Sequence, residues 1–548
     1  MHPPSDFESF RQSVADAVER GDAKAVRSVI HPSARTIAVE HGAEFRDLVS
    51  GLPTEIWHDD PRIAAAMGGS YRATGSPRGQ SAIGYFLAAE DAIANTADVP
   101  PHCLVSVLVG HAAALRTHGM LGQARAKLAE AWRIMQSDTA TPTPLRIEGG
   151  ARWNLEHGII DLHEGLFASA RSHLEYAHGH ADAHLTRAEH IECLGAIALA
   201  MSADGEYGPA REQIARAREL AVGTDLLHAG YGAPAVIADL LISNEGMLLE
   251  RSAALEHEAL DASLHNEWEP FAHVVIAQLR SIEGHPVVAL DELNKAARGF
   301  AGWEAPGVGS RFSELLRAGI LMHLDHGDEA WAILRTMQPL ENHTLCPARV
   351  TADLRLRHGD LVGAEEAIRD CERLGDAHGG RTIAEIYLLR AAIDFERGNF
   401  VVSDVSADRA FVRLARSGAR LPLRRIPGAT LSAIAERALH RRQQPEVARL
   451  LDLVSDHSRG EERQVQTLSA RERLVLAQVQ RGLTVAAIAN ELFISPNTVK
   501  THLRRLYSKL GVSTRDEAIR AARALGLGDE ITRDSPGSHH DSSEDAVI

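Results

Sequence analysis

Between Ser495 and Leu510 the chain reads SPNTVKTHLRRLYSKL, a run dense in groups that donate hydrogen bonds and carry positive charge. Lys500 and Arg504 stand four residues apart, one helical turn, and both can reach O6 and N7 of a guanine from the major groove. Asn497, Arg505 and Lys509 flank them and suit phosphate oxygens. The chemistry this set offers is recognition of a nucleic acid by hydrogen bonding and charge.

Such residues read bases only if a rigid element carries them. Val499, Leu503, Leu506 and Leu510 recur at helical spacing and pack inward, which leaves Lys500, Thr501, Arg504 and Ser508 on the other side. Ser495 is placed to cap the helix, and Pro496 falls at its first position, where a missing N–H costs nothing. Upstream, Thr484 to Leu492 forms a short helix burying Val485, Ile488, Ala489 and Leu492, followed by the turn Phe493-Ile494-Ser495. The two make a helix-turn-helix. A preceding helix over 469–481 turns Leu474, Val475, Leu476 and Val479 inward and stops at Gly482, and a fourth is expected from Thr514 to Leu525.

These residues resemble the LuxR-type C-terminal DNA-binding domain. The pattern stands as Leu468-Ser469-Ala470-Arg471-Glu472-Arg473, Gly482, Ile488-Ala489, Leu492 and Ser495-Pro496-Asn497-Thr498-Val499-Lys500. It continues through His502, Tyr507, Lys509-Leu510-Gly511-Val512, Arg515 and Ala518. The resemblance implies a recognition helix in the major groove with Lys500, Thr501 and Arg504 on base edges. Ser495, Asn497, Thr498, Arg505 and Lys509 are then assigned to phosphates. It also implies dimer formation on DNA through the fourth helix, at Arg515, Ala518, Ile519 and Ala522, and activation through contact with RNA polymerase.

Charge agrees with this reading. Residues 468–526 hold ten Lys and Arg against four Asp and Glu, inside a chain of net charge −16. A basic module on an acidic body concentrates phosphate affinity in one place.

The remaining sequence repeats. Aligned on a glycine, small or apolar residues recur at offsets of −7, +5, +9 and +12: Ala112, Gly119, Ala124, Leu128, Ala131, then Gly158, Gly165, Ala170, Leu174, Ala177. The register returns at Gly205, Gly284, Gly359 and Gly398, with Cys371 in the +12 place of the Gly359 unit and Ser403 in the +5 place of the Gly398 unit. Weaker units surround Gly21, Gly75, Gly246, Gly327 and Gln443. Physically, the −7 residue lets two antiparallel helices approach, the glycine ends the first, and the later positions line the second. Each unit is a helical hairpin similar to the tetratricopeptide repeat, at a spacing nearer 40 than 34 residues. Ten or eleven hairpins would form a right-handed solenoid whose concave surface binds a small molecule, a peptide or a protein.

The combination resembles LuxR-family bacterial regulators that carry tetratricopeptide-like sensor regions, including the large ATP-binding maltose-regulator type. No GxxxxGK[ST] occurs, so ATP-driven signalling is not expected. A phosphorylated receiver domain needs alternating strands and helices, which the first 450 residues lack. HExxH, GxSxG and GxGxxG are absent, and the chain is read as a non-enzyme. Cys103, Cys193, Cys346 and Cys371 are far apart without CxxC spacing, so neither a disulfide framework nor a zinc module is expected, and no cofactor or metal is assigned. His173, His178, His180, His184 and His190 cluster with Glu189 and are read as surface histidines rather than ligands. Trp268, Phe271 and Trp303 are read as hairpin packing rather than as a ligand pocket. The N-terminus shows no basic apolar leader and no apolar stretch reaches membrane-spanning length, so a cytoplasmic location is expected.

The expected architecture is therefore all-α. A tetratricopeptide-like helical-hairpin solenoid, 1–454, is followed by a polar hinge, 455–467, a four-helix LuxR-type helix-turn-helix domain, 468–527, and an acidic disordered tail, 528–548. The functional expectation is a transcription regulator that binds double-stranded promoter DNA under control of an effector on the repeats. The alternative is an interaction scaffold tethered to DNA by its last domain.

Overall fold

The computed structural model describes residues 7–74, 80–96, 99–137, 144–324, 326–340, 343–441, 445–457, 470–492, 496–510, 512 and 514–524. Every regular element among the described residues is helical. The all-α architecture follows, with helical hairpins stacked along the chain and a helix-turn-helix at its end.

The six glycines that anchor the repeat register share one conformation. Gly119, Gly165, Gly205, Gly284, Gly359 and Gly398 all have φ between +72° and +83°. Each ends a helix in the same way. Gly119 N–H donates to the Arg116 carbonyl at 2.9 Å, and the next N–H, of Met120, reaches back to Leu115 at 3.1 Å. Equivalent pairs close the other five turns. This is the Schellman termination, which needs a left-handed residue and hence favours a residue without a β-carbon.

Between the paired helices the register packs as its spacing requires. Ala124, Leu128 and Ala131 are buried, as are their counterparts in the other five units. At Gly158, in the −7 place, a β-carbon would come within 2.7 Å of Leu174 Cγ, the +9 residue of the same hairpin. The weaker units depart in detail. At the Gly246 unit the left-handed residue is Met247, with φ 55°. Gly327 begins the helix Gly327–Leu334 rather than ending its predecessor. Gly75 and Gln443 lie outside the described residues.

First helices of hairpins pack on one another and form an inner layer. Ala233–Glu245 is buried at every position, and Arg187–Ala203 and Gly380–Glu396 nearly so. Second helices are one-sided: Tyr207–Ala221 buries Tyr207, Ala210, Ile214, Ala217 and Ala221. The superhelix also closes on itself. The Gly119 turn meets Trp303, the Gly165 turn meets Leu340, and the Gly205 turn meets Arg381. The Glu245 carbonyl accepts from Arg420 N–H at 2.7 Å. In each case the end of a hairpin's first helix touches a segment about 180 residues later in the chain.

The helix Pro445–His457 continues through the first three residues of the expected hinge. The remainder of the hinge and the acidic tail lie outside the described residues. No described helix is long and apolar enough to cross a membrane.

Candidate nucleic-acid interface and the solenoid cavity

Four helices build the C-terminal unit: Ala470–Gln480, Val485–Glu491, Pro496–Leu510 and Arg515–Ala524. Their shared core holds Val475, Val479, Ile488, Ala489 and Val499, with Leu492, Leu503 and Ile519 packed against it. Of the four residues expected on the inner side, Val475, Leu476 and Val479 are buried, whereas Leu474 is exposed. Gly482 has φ +82° and ends the first helix as the repeat glycines do. Thr484 Oγ1 accepts from Ala487 N–H at 3.3 Å and caps the second helix. Thr514 and Glu517 exchange hydrogen bonds of 3.0 and 3.3 Å and cap the fourth.

The helix Pro496–Leu510 presents two sides. Val499, Leu506 and Leu510 are buried, whereas Lys500 and Arg504 are exposed. Their cations therefore project together from one outward face, the arrangement a groove-reading helix needs. Asn497, Thr498, Thr501, Arg505 and Lys509 lie in the same helix. Ser495 lies outside the described residues.

The fourth helix is held by contacts within the chain. Arg515 is an internal clamp: its Nη2 donates to the carbonyls of Leu483 at 2.8 Å and Val479 at 3.2 Å, fixing the end of the first helix. Ile519 packs into the domain core. Ala518 and Ala521, one turn apart, are buried in the apolar cluster shared with the solenoid, and the helix packs on Pro286–Phe300. Ala522 lies in this helix. Ala518 and Ala521 of the helix to which the resemblance assigns the dimer contact thus lie in the cluster shared with the chain's own repeats.

Within the solenoid, a cavity of about 460 Å³ opens between the N-terminal helices Ala34–Glu40 and Pro61–Gly69, the helix Pro101–Arg116, and the connection at 265–267. Its wall mixes Ala66, Val107 and Phe86 with Arg35, Arg62, His102, Arg152 and Glu189. Glu189 accepts from Arg35 at 2.6 Å and Arg152 at 3.0 Å. Burial alone would raise its carboxyl, but the two guanidinium groups bring it down to about 2. The cavity floor reaches Arg72 and Glu267, which belong to a buried ion cluster. There Arg116, fully buried, donates to Glu156 at 2.9 Å, to Glu192 at 3.3 Å and to Glu267, while Arg72 pairs with Glu156 at 3.0 Å and with Glu192.

Trp268 and Phe271 line a small cavity of about 30 Å³ beside His163, Phe300 and Phe312. Trp268 is buried and stacks on His163 at 4.4 Å, and Trp303 meets the same imidazole edge-on at 5.1 Å. The histidine cluster separates. His178 bonds His190 at 3.0 Å, His180 bonds the Tyr176 carbonyl, and Glu189 is committed to its arginines. His173 instead approaches His157 and Asp161.

Sequence spacing missed a different group. Cys346 and Cys371 lie with their Sγ atoms 3.5 Å apart, beside His343 and His378. The two pairs are H-x2-C, before the helix Ala348–Arg357, and C-x6-H, running from the end of Leu361–Leu374 to the next connection, a pattern no single-loop spacing rule detects. The available signal was Cys371 itself, standing where other repeats carry alanine.

The class defined by this geometry is a helix-turn-helix DNA-binding domain carried by a helical-repeat body. Residues 466–522 match the family described as GerE, bacterial regulatory proteins, luxR family, and this segment is a LuxR-family helix-turn-helix domain. A similar protein is "Probable transcriptional regulatory protein NarL" of Mycobacterium tuberculosis (strain ATCC 25618 / H37Rv), 53% identical over 62 residues, which are 11% of this chain and 29% of NarL. The "HTH-type transcriptional regulator MalT" of Yersinia pestis (strain Pestoides F) is 47% identical over 58 residues, 11% of this chain and 6% of MalT. The chain thus spans under a third of the length of these relatives. A chain in the crystal structure of the APC/C hetero-tetramer Cut9-Hcn1 superposes over 95% of this chain and 96% of its own at 12% identity with a TM-score of 0.36, too loose to carry an argument.

Proposed function

We propose that the protein is a transcription regulator that binds promoter DNA through the helix Pro496–Leu510 and is controlled by a small molecule held in the solenoid cavity. The carrying observation is the outward pair Lys500 and Arg504 on a helix whose opposite side is buried in a LuxR-family domain. In this reading Lys500, Thr501 and Arg504 contact base edges, and Ser495, Asn497, Thr498, Arg505 and Lys509 hold phosphates.

Control follows from the docked fourth helix. A dimer on DNA would use Ala518, Ile519 and Ala522, on the same helix that rests on Pro286–Phe300. Docking and dimer formation then compete, and an effector that reshapes the superhelix shifts the balance. The cavity favours a small effector over a protein partner, because it is a concave space of about 460 Å³ in which apolar Ala66, Val107 and Phe86 stand beside polar and charged side chains. Its Arg62 and His102, 3.4 Å apart, suit an anionic group on an otherwise apolar molecule. Activation through RNA polymerase is the outcome the family resemblance favours.

The test is selection of genomic DNA fragments by the full chain and by residues 461–548, at one physiological salt concentration. Enrichment of common sites by both, or by the fragment alone, supports DNA reading, and the second result also supports restraint by the solenoid. Enrichment by neither defeats the proposal.

A further inference from the structure

We propose that His343, Cys346, Cys371 and His378 form a closed structural metal site that takes a single zinc-class divalent cation. One ligand atom from each residue lies within 4.8 Å of every other. The individual separations are tighter: Cys346 Sγ to Cys371 Sγ is 3.5 Å, His343 Nδ1 to Cys346 Sγ 3.5 Å, and His343 Nδ1 to Cys371 Sγ 3.6 Å. A tetrahedron with bonds of about 2.3 Å to sulfur and about 2.0–2.1 Å to nitrogen has edges of roughly 3.3–3.8 Å. Three of the four ligand atoms therefore already stand at the edge lengths of such a tetrahedron, and the fourth, on His378, lies within 4.8 Å of each of them.

Three further observations separate this arrangement from chance contact. Cys346, Cys371 and His378 are buried, and His378 Nε2 has no hydrogen-bond partner. An orphaned buried imidazole nitrogen is costly unless something binds it. The other nitrogen, Nδ1, is 3.3 Å from the Gly379 carbonyl, and an Nδ1–H bond there leaves the Nε2 lone pair free to coordinate. His343 has φ 55°, a left-handed backbone that a residue with a β-carbon adopts only under constraint. Its conformation turns the ring toward the two sulfur atoms.

The position gives the site a task. His343 and Cys346 precede the helix Ala348–Arg357, Cys371 ends the buried stripe of Leu361–Leu374, and His378 precedes Gly380–Glu396. The two connections are already pressed together: a β-carbon on Gly379 would lie 2.8 Å from Thr344 Oγ1, and Thr382 Oγ1 donates to the Thr344 carbonyl at 2.6 Å. Thr344 also donates to Asp204 at 3.1 Å, and Arg381 N–H donates to the Asp204 carbonyl at 3.0 Å. A metal at this point would tie one hairpin-to-hairpin connection to the next where the superhelix meets the Gly205 turn. Four protein ligands and no open position make its role structural.

The experiment uses the full chain purified under reducing conditions from zinc-supplemented medium. Elemental analysis and native mass spectrometry should find about one zinc per chain, and cobalt exchange should give the thiolate-to-metal charge-transfer absorption of a two-sulfur tetrahedral site. Cys371→Ser and His378→Ala should lose the metal and melt at lower temperature, whereas Cys193→Ser, at a buried cysteine outside the site, should retain it. If the ligand variants do not fold, zinc content and the cobalt spectrum of the unaltered chain decide alone. Reduced chain that holds no metal and takes up neither zinc nor cobalt overturns the proposal. So does an intact mass showing Cys346 joined to Cys371 as a disulfide under the same conditions, or zinc retained in full by the folded ligand variants.

Discussion

The indole of Trp303 lies against Gly119, so closely that a β-carbon on the glycine would fall 2.6 Å from the indole Cγ. One hairpin tip is thereby locked to the connection that follows the helix Pro286–Phe300. The contact separates two roles of glycine in this fold, because Gly284 has the same left-handed backbone with nothing within 4 Å of its would-be β-carbon. Gly284→Ala is expected to cost about 1–2 kcal/mol, the backbone cost alone. Gly119→Ala should cost about 1–3 kcal/mol more as the indole is displaced. Urea midpoints of the two variants, compared side by side, check the difference; equal losses would remove the tertiary contribution.

Arg116 carries no exposed surface and neutralises carboxylates on three elements. Arg116→Met keeps the volume but strands Glu156 and Glu267 without their principal cation. A loss of about 3–5 kcal/mol is expected. Adding Glu267→Gln to the methionine variant should recover part of it, which a double-mutant comparison by urea unfolding will reveal.

The same cluster predicts a pH dependence. Glu192 faces Arg72, Arg116, Glu156 and Glu267, and burial, against the pull of the two arginines, raises its carboxyl from 4.5 to about 7. With three carboxylates to two arginines, one proton balances the charge of the cluster, in keeping with the raised carboxyl of Glu192. A folded state that binds the proton more tightly than the unfolded chain gains stability that is full below 4.5 and is lost as pH rises through about 7. His163, lowered to about 3 by burial and Arg116, acts oppositely: its contribution is present above its ordinary 6.5 and is lost as pH falls. The readout is therefore a difference. Glu192→Gln should remove a downward slope between pH 4.5 and 7 in melting temperature relative to the parent chain. Parallel curves would show that Glu192 does not titrate there.

On DNA, Arg504→Ala is expected to weaken the preferred site by about 1–3 kcal/mol and to relax base choice at one position. Arg505→Ala should weaken all sequences alike and reduce the salt slope by about one. Titrations of specific and scrambled duplexes at several salt concentrations distinguish the two. Uniform weakening by both changes would erase the division of roles.

Ala518→Glu and Ala521→Glu place charge in the apolar contact between the C-terminal domain and the solenoid. If that contact restrains the reader, Ala521→Glu in the full chain should raise DNA affinity toward that of residues 461–548 while leaving the isolated fragment unchanged. Ala518→Glu, on the face a dimer would share, should release the domain yet bind DNA no better. Fluorescence anisotropy on a selected duplex measures both; unchanged affinity for Ala521→Glu would mean that docking does not regulate.

Much of the molecule was legible in its spacing because the responsible forces are local. The repeat register marked seven-residue and five-residue distances around a glycine, and a Schellman turn requires that glycine whatever lies beyond the hairpin. Val499, Leu506 and Leu510 were assignable inward for the same reason, since helical periodicity alone sorts them from Lys500 and Arg504. Leu474 was misplaced because a helix with four consecutive apolar or small residues, Leu474 to Ala477, has no single stripe to read. Which of them faces inward depends on what packs there.

By itself, then, the sequence determined the helices, their pairing into hairpins, and a basic reading helix in a LuxR-family domain, because each rests on contacts a few residues apart. Only the tertiary structure decided the rest. Closure of the superhelix joins Gly119 to Trp303 and Arg116 to Glu267, folds Ala518 and Ala521 onto the repeats, and gathers His343, Cys346, Cys371 and His378 around one point. The physical reason is that these partners are brought together by the angle at which successive hairpins stack, a small rotation repeated many times, and no local spacing records that sum.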